Sequence, residues 1–321
     1  MIERSPPSLD EVLTDIRRRV ADRGEIRAIE TLPARSATPT ERPPALHEKI
    51  LDHLQQTGVW PLYRHQGRAI DAVLHGRHVV VASSTASGKT YCYNLPVLDA
   101  VLRGQNAYAL YLFPTKALAQ DQMRTLGRLI EGLGVRAEAG IYDGDTEPVV
   151  RQRLRKNGRI VLTNPDMLHA AILPHHGGWA GLFGNLKYVV VDEMHTLRGI
   201  FGSHVGNVLR RLRRICRHYG SDPIFIGASA TIANPGEHAS RLIGVDFEVV
   251  DEDGAPRGAK TYVLWNPPLF TRDDGTSFRK GAPSVAVRLL PELVRRGVKT
   301  ICFPPPRNTD EMLLRYFRER A

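Results

Sequence analysis

The chain has 321 residues, with 44 Lys and Arg against 34 Asp and Glu, a formal charge of +10 and a pI near 9.7. A content of 42% hydrophobic and 24% charged residues excludes chain-wide disorder, collagen and a membrane bundle. No apolar run approaches the roughly 20 residues that span a bilayer. The N-terminal MIERSPPSLDEVL carries acids where a secretion signal has its apolar core. Three scattered cysteines, Cys92, Cys216 and Cys302, offer neither a disulfide framework nor a metal-binding spacing, so a reducing cytoplasm and no membrane are expected.

Along the chain, Leu9, Val12, Leu13, Ile16 and Val20 recur at helical spacing and predict a helix over about 8–24. The Pro-, Ser- and Thr-rich stretch TLPARSATPTERPP that follows reads as an extended tether, so 1–45 is expected to be a helix plus linker. From residue 46 short apolar runs alternate with helical patterns: HVVVA at 78–82, AYALYLF at 107–113, RIVLT at 159–163, KYVVV at 187–191 and PIFIGA at 223–228. Continuous apolar strands separated by crossover segments predict an α/β domain over 46–256, a parallel sheet with helices on both faces. Beyond 257 a Pro/Gly-rich connection leads to a helix at about 284–296, a strand KTICF at 299–303 and a helix from about 308. One strand and two helices cannot enclose a core of their own.

Ligands of parallel sheets sit at the carboxyl ends of the strands, so the residues just after each run carry the functional reading. The first run is followed by Ser83-Ser84-Thr85-Ala86-Ser87-Gly88-Lys89-Thr90. Successive backbone N–H groups leading into a helix N-terminus make an anion cradle, Lys89 adds a point charge for β/γ-phosphates, and Thr90 offers a hydroxyl to Mg²⁺. The usual phosphate-loop pattern has Gly where this chain has Ser83. Only eight of the 44 cations are lysines, so a lysine at this position stands out from an arginine-dominated background. The run 187–191 ends in Asp192-Glu193-Met194-His195. Two adjacent carboxylates at a strand end can divide the work, one holding Mg²⁺ and the other deprotonating a water. The other ends are Pro114-Thr115-Lys116-Ala117-Leu118, Thr163-Asn164-Pro165-Asp166 and Ser229-Ala230-Thr231, while Tyr63 and Gln66 upstream offer an aromatic face and an amide able to bond both edges of adenine.

The order of these segments resembles that of superfamily 2 DExH-type helicases: a glutamine, then TASGKT, PTKAL, TNPD, DEMH and SAT. TASGKT together with the run DEMHTLRGIFGSHVGNVLRRLRRI is similar more specifically to the bacterial mitomycin-repair helicases (MrfA/YprA-like) and their fungal relatives. That resemblance implies a RecA-like fold and a DNA helicase or translocase driven by ATP and Mg²⁺, with DNA repair as its setting. It implies adenine on Gln66, triphosphate on residues 83–90 with Lys89 catalytic, Mg²⁺ on Thr90 and Asp192, and Glu193 as the base for the attacking water. His195, Ser229 and Thr231 would couple nucleotide state to the nucleic-acid face. Thr115, Lys116, Thr163 and Asp166 would meet a single strand or tailed duplex through phosphates, with little sequence preference and a steep salt dependence.

In that family ATP lies between two RecA-like domains, the second supplying arginine fingers. Over 257–321 this sequence shows the motif-IV-like KTICFPPPRNTDEML but no Gln-x-x-Gly-Arg-x-Gly-Arg pattern. The expectation is an ATP-binding half joined to an incomplete second RecA-like domain, completed within a longer reading frame or by a separate chain. The alternative is a nucleotide-responsive nucleic-acid-binding module without turnover. Residues 257–321 hold 13 basic and six acidic side chains, whereas residues 1–45 hold eight of each, so the excess charge lies mainly in the unfinished second domain. Arg210, Arg211, Arg213, Arg214 and Arg217 wrap around a helix and read as a solvated face or domain contact rather than a DNA rail.

Overall fold

The computed structural model describes residues 8–20, 25–267, 269–279, 281–303 and 307–320. The chain begins with α1 (Leu9–Val20) and β1 (Ile26–Leu32). Then come α2 (Glu48–Gln56), α3 (Arg64–Leu74), β2 (Val79–Ala82), α4 (Lys89–Leu102), β3 (Tyr108–Leu112), α5 (Lys116–Gly132), β4 (Ala139–Ile141) and α6 (Pro148–Asn157). β5 (Ile160–Thr163) leads into α7 (Pro165–Met167), which runs on through tighter and looser turns to α8 (Ala180–Asn185). β6 (Leu186–Val191), α9 (Gly199–His218), β7 (Ile224–Ser229), α10 (Pro235–Ile243) and β8 (Glu248–Val250) follow. The chain then gives β9 (Lys260–Trp265), β10 (Leu269–Thr271), β11 (Ser277–Arg279), α11 (Ala282–Arg295) and α12 (Arg307–Arg320). No helix among the described residues is long and apolar enough to cross a membrane.

Residues Ser36–Arg257 form one compact unit. Its sheet has seven strands in the order β4-β5-β3-β6-β7-β2-β8, every neighbouring pair parallel. All five sequence-predicted runs are strands of this sheet. They are mainly apolar because both faces are covered: Val79, Val81, Tyr111, Leu162 and Val190 enter one core, and Val80, Leu110, Val161, Val189 and Val191 the other. Each such side chain contributes about 1.5–3 kcal/mol on leaving water. The edge strands β4 and β8 were not legible as strands; each has three residues and only half-buries most of them. Because all strands run the same way, residues 83, 113, 164, 192 and 230 line one edge of the sheet.

The second unit joins residues up to Arg35 with those from Gly258. Between the predicted helix and the Pro-rich stretch lies a strand, β1, that the sequence reading did not include. β1 pairs antiparallel with β9, Thr31 opposite Thr261, because an isolated strand leaves its N–H and C=O groups unpaired. The expected helix exists as α1; its last positions, 21–24, lie outside the described residues. The rest of the tether is fastened within the first unit: Thr38 N donates to Gly254 O at 2.8 Å, Thr40 N to Leu62 O at 2.8 Å, and Arg64 N to Thr38 O at 2.9 Å. In the second unit β10 and β11 make a short antiparallel ladder, and α1 is linked to α11 through ion pairs of Asp15 with Arg296 and of Arg19 with Glu292. The expected helices near 284–296 and beyond 308 are α11 and α12. Residues 299–303 are not a strand. They have no ladder partner among the described residues, and Ile301 and Phe303 stay 77% and 89% exposed. The prolines at 304–306 lie outside the described residues.

Candidate nucleotide site

β2 stops at Ala82 and α4 starts at Lys89, so Ser83–Gly88 form a loop at the carboxyl edge of the sheet. Ser83, where glycine is usual, is buried and its hydroxyl lies 2.7 Å from that of Ser87. The loop takes its left-handed turns elsewhere, at Ala86 (φ 60°) and Gly88 (φ 79°). Gly88's left-handed φ is one that side chains rarely adopt, and a Cβ there would also displace Gln66 Nε2, 2.5 Å away. Thr85 and Ala86 are exposed at the loop's tip. Lys89 folds back over the loop, its Nζ donating to Ser83 O at 3.0 Å and Ser84 O at 2.7 Å. Burial pulls the Lys89 ammonium below its ordinary value, opposed by the nearby Glu193 and Asp192. A cation resting on neutral carbonyls gains when an anionic oxygen replaces them.

Gln66 sits in the first turn of α3 with both ends of its amide engaged: Oε1 accepts from Tyr63 N at 2.9 Å and Nε2 donates to Gly88 O at 3.0 Å. Its second N–H and further lone pair remain for a ligand. Gln66 lines a cavity of about 640 Å³ together with Pro39, Trp60, Tyr63, Gly88 and Tyr91. Trp60 and Tyr91 escaped the sequence reading, because only the fold brings the α2–α3 connection beside α4.

Across the sheet edge, Asp192 Oδ1 accepts from Glu193 N at 2.8 Å and Oδ2 from the Tyr93 hydroxyl at 3.1 Å. Burial raises the Asp192 carboxyl above its ordinary value, offset in part by the Glu193 N–H and the Tyr93 hydroxyl. Tyr93 is buried on α4, and its hydroxyl also hydrogen-bonds the Thr90 side chain and lies 3.1 Å from Gln122 Oε1. Thr90 and Asp192, the two predicted metal ligands, therefore share one neighbour that the sequence did not reveal. Glu193 has a left-handed φ of 52°, a strained conformation of the kind that clusters at functional sites. His195 Nδ1 accepts from Ala230 N at 3.1 Å and stands 3.2 Å from Glu193 Oε2, which links the end of β6 to the end of β7. Ser229 Oγ is a buried oxygen without a hydrogen-bond partner among the described residues, and Thr231 is exposed.

The nucleic-acid candidates divide. Thr115 caps α5, its hydroxyl accepting from Leu118 N at 3.3 Å. Lys116 follows on the surface, and its Nζ donates to Asp145 Oδ2 at 2.7 Å. Asp166 is exposed in α7. Thr163 does not belong with them: it is 1% exposed and its single hydroxyl proton goes to Tyr142 O at 2.6 Å, leaving no proton for a phosphate. Within the arginine cluster, Arg210 donates to Arg241 O, and Arg213 to the carbonyls of Ile243 and Gly244. These two cap the C-terminus of α10, where orphan carbonyls favour cations.

The family profile for DEAD/DEAH box helicases matches residues 63–238, the stretch that holds Gln66, the phosphate loop, Asp192 and Ser229. The chain belongs to this helicase family. This DEAD/DEAH box chain is 49% identical over 285 residues to the uncharacterized ATP-dependent helicase YprA of Bacillus subtilis, covering 89% of itself and 38% of that protein. It is 40% identical over 261 residues to the ATP-dependent helicase HRQ1 of Saccharomyces cerevisiae, covering 80% of itself and 24% of HRQ1. The crystal structure of the DUF1998 helicase MrfA bound to DNA and AMPPNP matches with a TM-score of 0.90 at 46% identity, over 98% of this chain and 43% of MrfA. The DEAD/DEAH box chain thus spans less than half the length of each of these relatives.

Two further residues of the site carried no sequence signal. His65 is fully buried with Nε2 3.1 Å from Ser87 O, and Asp253, beyond β8, accepts from Ser84 N at 3.2 Å and Ser84 Oγ at 2.5 Å. Nothing in their local sequence pattern distinguishes them from ordinary helix and loop residues; the fold alone brings them to the phosphate loop.

Proposed function

We propose that residues 36–257 are the ATP-binding and ATP-hydrolysing half of a DNA helicase or translocase, one that couples hydrolysis to sequence-independent movement along a single strand or tailed duplex. The observation that carries this reading is that Tyr93 of α4, the helix that begins at Lys89, bonds Asp192 at 3.1 Å, which brings the phosphate loop and its lysine to the Asp192-Glu193 pair at the end of β6. A lysine spanning an anion cradle beside two carboxylates suits phosphoryl transfer to water.

Among the described residues no group of three or more His, Cys, Asp or Glu side chains could hold a metal alone. One carboxylate and one hydroxyl, Asp192 and Thr90, fit the Mg²⁺ habit of binding few protein ligands and completing its shell with phosphate and water. When bound, Mg²⁺ would neutralise charge on the phosphates. The remaining work falls to the chain itself: the loop amides and Lys89 hold the phosphates, the aromatic cavity and Gln66 take the base, and Glu193 receives a proton from water. His195 relays the state of Glu193 to Ala230, between Ser229 and Thr231. The α5 N-terminus, with Thr115 and Lys116, meets the strand's phosphates, and Lys116 exchanges its exposed Asp145 partner at small cost, since such surface pairs are worth about 0–1 kcal/mol. A second RecA-like half, from the further length such relatives have or from a separate chain, closes the site. This setting is cytoplasmic DNA repair.

The test is nucleotide binding and DNA-stimulated ATP hydrolysis by the purified chain beside Lys89→Ala and Glu193→Gln. Lys89→Ala is expected to abolish tight nucleotide binding. Glu193→Gln should retain binding while losing about 10²–10⁴-fold in turnover. A wild type that binds no nucleotide with Mg²⁺ present overturns the phosphate-loop assignment. One that binds but turns over no faster than Glu193→Gln makes this chain a nucleotide-responsive module.

A further inference from the structure

The phosphate loop is held from behind by residues that take no part in binding phosphate or activating water. His65 Nε2 lies 3.1 Å from Ser87 O, while Gly254 N donates to His65 Nδ1 at 3.2 Å. A carbonyl only accepts and an amide N–H only donates, so Nε2 donates to Ser87 O while Nδ1 faces Gly254 N, with Asp253 Oδ1 3.9 Å away. On the loop's other flank Asp253 Oδ2 takes the Ser84 N–H and hydroxyl, while Oδ1 accepts from Ala255 N at 3.0 Å. Burial opposes the charge on Asp253, yet the Ser84 and Ala255 bonds outweigh it and hold the carboxyl down at about 2. The segment so gripped, Asp253–Ala255, lies just before Arg257, the last residue of the unit. Its backbone is tightly seated: a Cβ on Gly254 would fall 2.7 Å from Thr38 O and 2.9 Å from Arg64 N.

We propose that His65 and Asp253 are positioning residues that couple nucleotide occupancy of the phosphate loop to the segment through which the chain leaves this unit. The inference rests on the ATP-site reading above and adds the route out of the site. Both residues bridge the same two pieces of backbone, loop residues 84 and 87 on one side and residues 253–255 on the other. A ligand that fixes the loop therefore fixes the exit segment, and linkage makes the effect reciprocal: a clasped exit segment raises affinity for the ligand. Ser84 and Ser87 flank the tip of the loop, so the clasp constrains its two sides independently.

The experiment is amide hydrogen exchange on the intact chain, with and without a non-hydrolysable ATP analogue and Mg²⁺, for wild type, Asp253→Ala and His65→Phe. In wild type the analogue should slow exchange at Ser87–Lys89 and also at Gly254 and Ala255, the latter by about five-fold or more, the lower end of ordinary coupling. In both variants the slowing at 254–255 should vanish, and affinity for the analogue should fall by a matching factor. A merely structural role would speed exchange through β2 and β7 without ligand and leave the ligand-induced difference at 254–255 intact, which overturns the proposal. Slowing confined to residues 87–89 in wild type overturns it as well, with the ATP site standing. No slowing anywhere removes the ATP site and the coupling together. Should the buried His65→Phe fail to fold, Asp253→Ala, in the less buried arm of the clasp, decides alone.

Discussion

The two units of this chain obey different rules of assembly. In Ser36–Arg257 the central strands are mainly apolar and divide their side chains between two cores; in the other unit β9, β10 and β11 leave most of their side chains to solvent. Among the described residues the hydrophobic side chains buried in the second unit are few, Val12, Ile16 and Leu313 among them, whereas the first unit buries whole strands. The lesson is that the first unit is stabilised by its interior and carries its chemistry on an edge which that interior fixes. The second is held by ladders and ion pairs such as Arg288 with Glu25 and Arg296 with Asp15, interactions that add less apiece.

The sharpest way to break this contrast is to cut the interior. Phe225 in β7 is fully buried and packs 5.8 Å from the His78 ring. Phe225→Ala should cost about 3–5 kcal/mol, the transfer term plus the cavity left behind. Urea unfolding followed by far-UV circular dichroism reads the loss. A cost below about 1 kcal/mol would mean that the sheet is not the stabilising element.

The clasp comes next in size, and it is sensitive to pH. Asp253→Ala leaves the Ser84 N–H, the Ser84 hydroxyl and the Ala255 N–H short of an acceptor, a loss of about 1–3 kcal/mol. With its folded carboxyl held near 2 against an ordinary 3.8, Asp253 contributes fully above the ordinary value and loses that contribution as pH falls towards 2. The stability gap between wild type and Asp253→Ala, from urea titrations, should therefore be the same at pH 7 and pH 5 and narrow below about pH 3.8. A gap that instead grows on acidification contradicts this geometry.

What the sequence disclosed follows the same division. β2, β3, β5, β6 and β7 were legible because burial on both faces forces an unbroken apolar run, and Lys89, Asp192 and Glu193 because parallel strands put their chemistry at their ends. β4 and β8 were hidden by their brevity at the sheet edges. The β1–β9 ladder was hidden for another reason: Thr31 meets Thr261 across nearly the whole chain, and no local pattern encodes a partner. The apolar 299–303 was legible as a strand yet lacks a ladder, since propensity cannot supply one. His65, Tyr93 and Asp253 owe their roles to tertiary neighbours. Thr163 was misassigned because a strand-end threonine looks the same whether its hydroxyl faces a ligand or, as here, the carbonyl of Tyr142.

A smaller substitution tests strain at the phosphate loop. Ala86 holds φ at 60°, where a Cβ is unfavourable and glycine is at ease. Ala86→Gly should stabilise the chain by about 1 kcal/mol, the reverse of placing alanine at such a site, and raise its thermal midpoint. Unchanged or lower stability would show that the loop's neighbours, and not Ala86 itself, determine that turn.

The smallest effect is expected in the second unit, and it completes the contrast. Phe270 and Phe278 face each other across the β10–β11 ladder with ring centroids 5.7 Å apart, and the Arg272 guanidinium lies 4.8 Å from the Phe278 ring. Both rings are nearly two-fifths exposed, so removing one forfeits a cross-strand pair and opens no cavity. Cross-strand aromatic pairs are worth about 0.2–1 kcal/mol, and Phe278→Ala should cost no more. The measurement is again urea unfolding, read beside nucleotide affinity, which should not change. A cost approaching that of Phe225→Ala would mean that this ladder is covered in solution, and the second unit would then owe its stability, like the first, to a buried face.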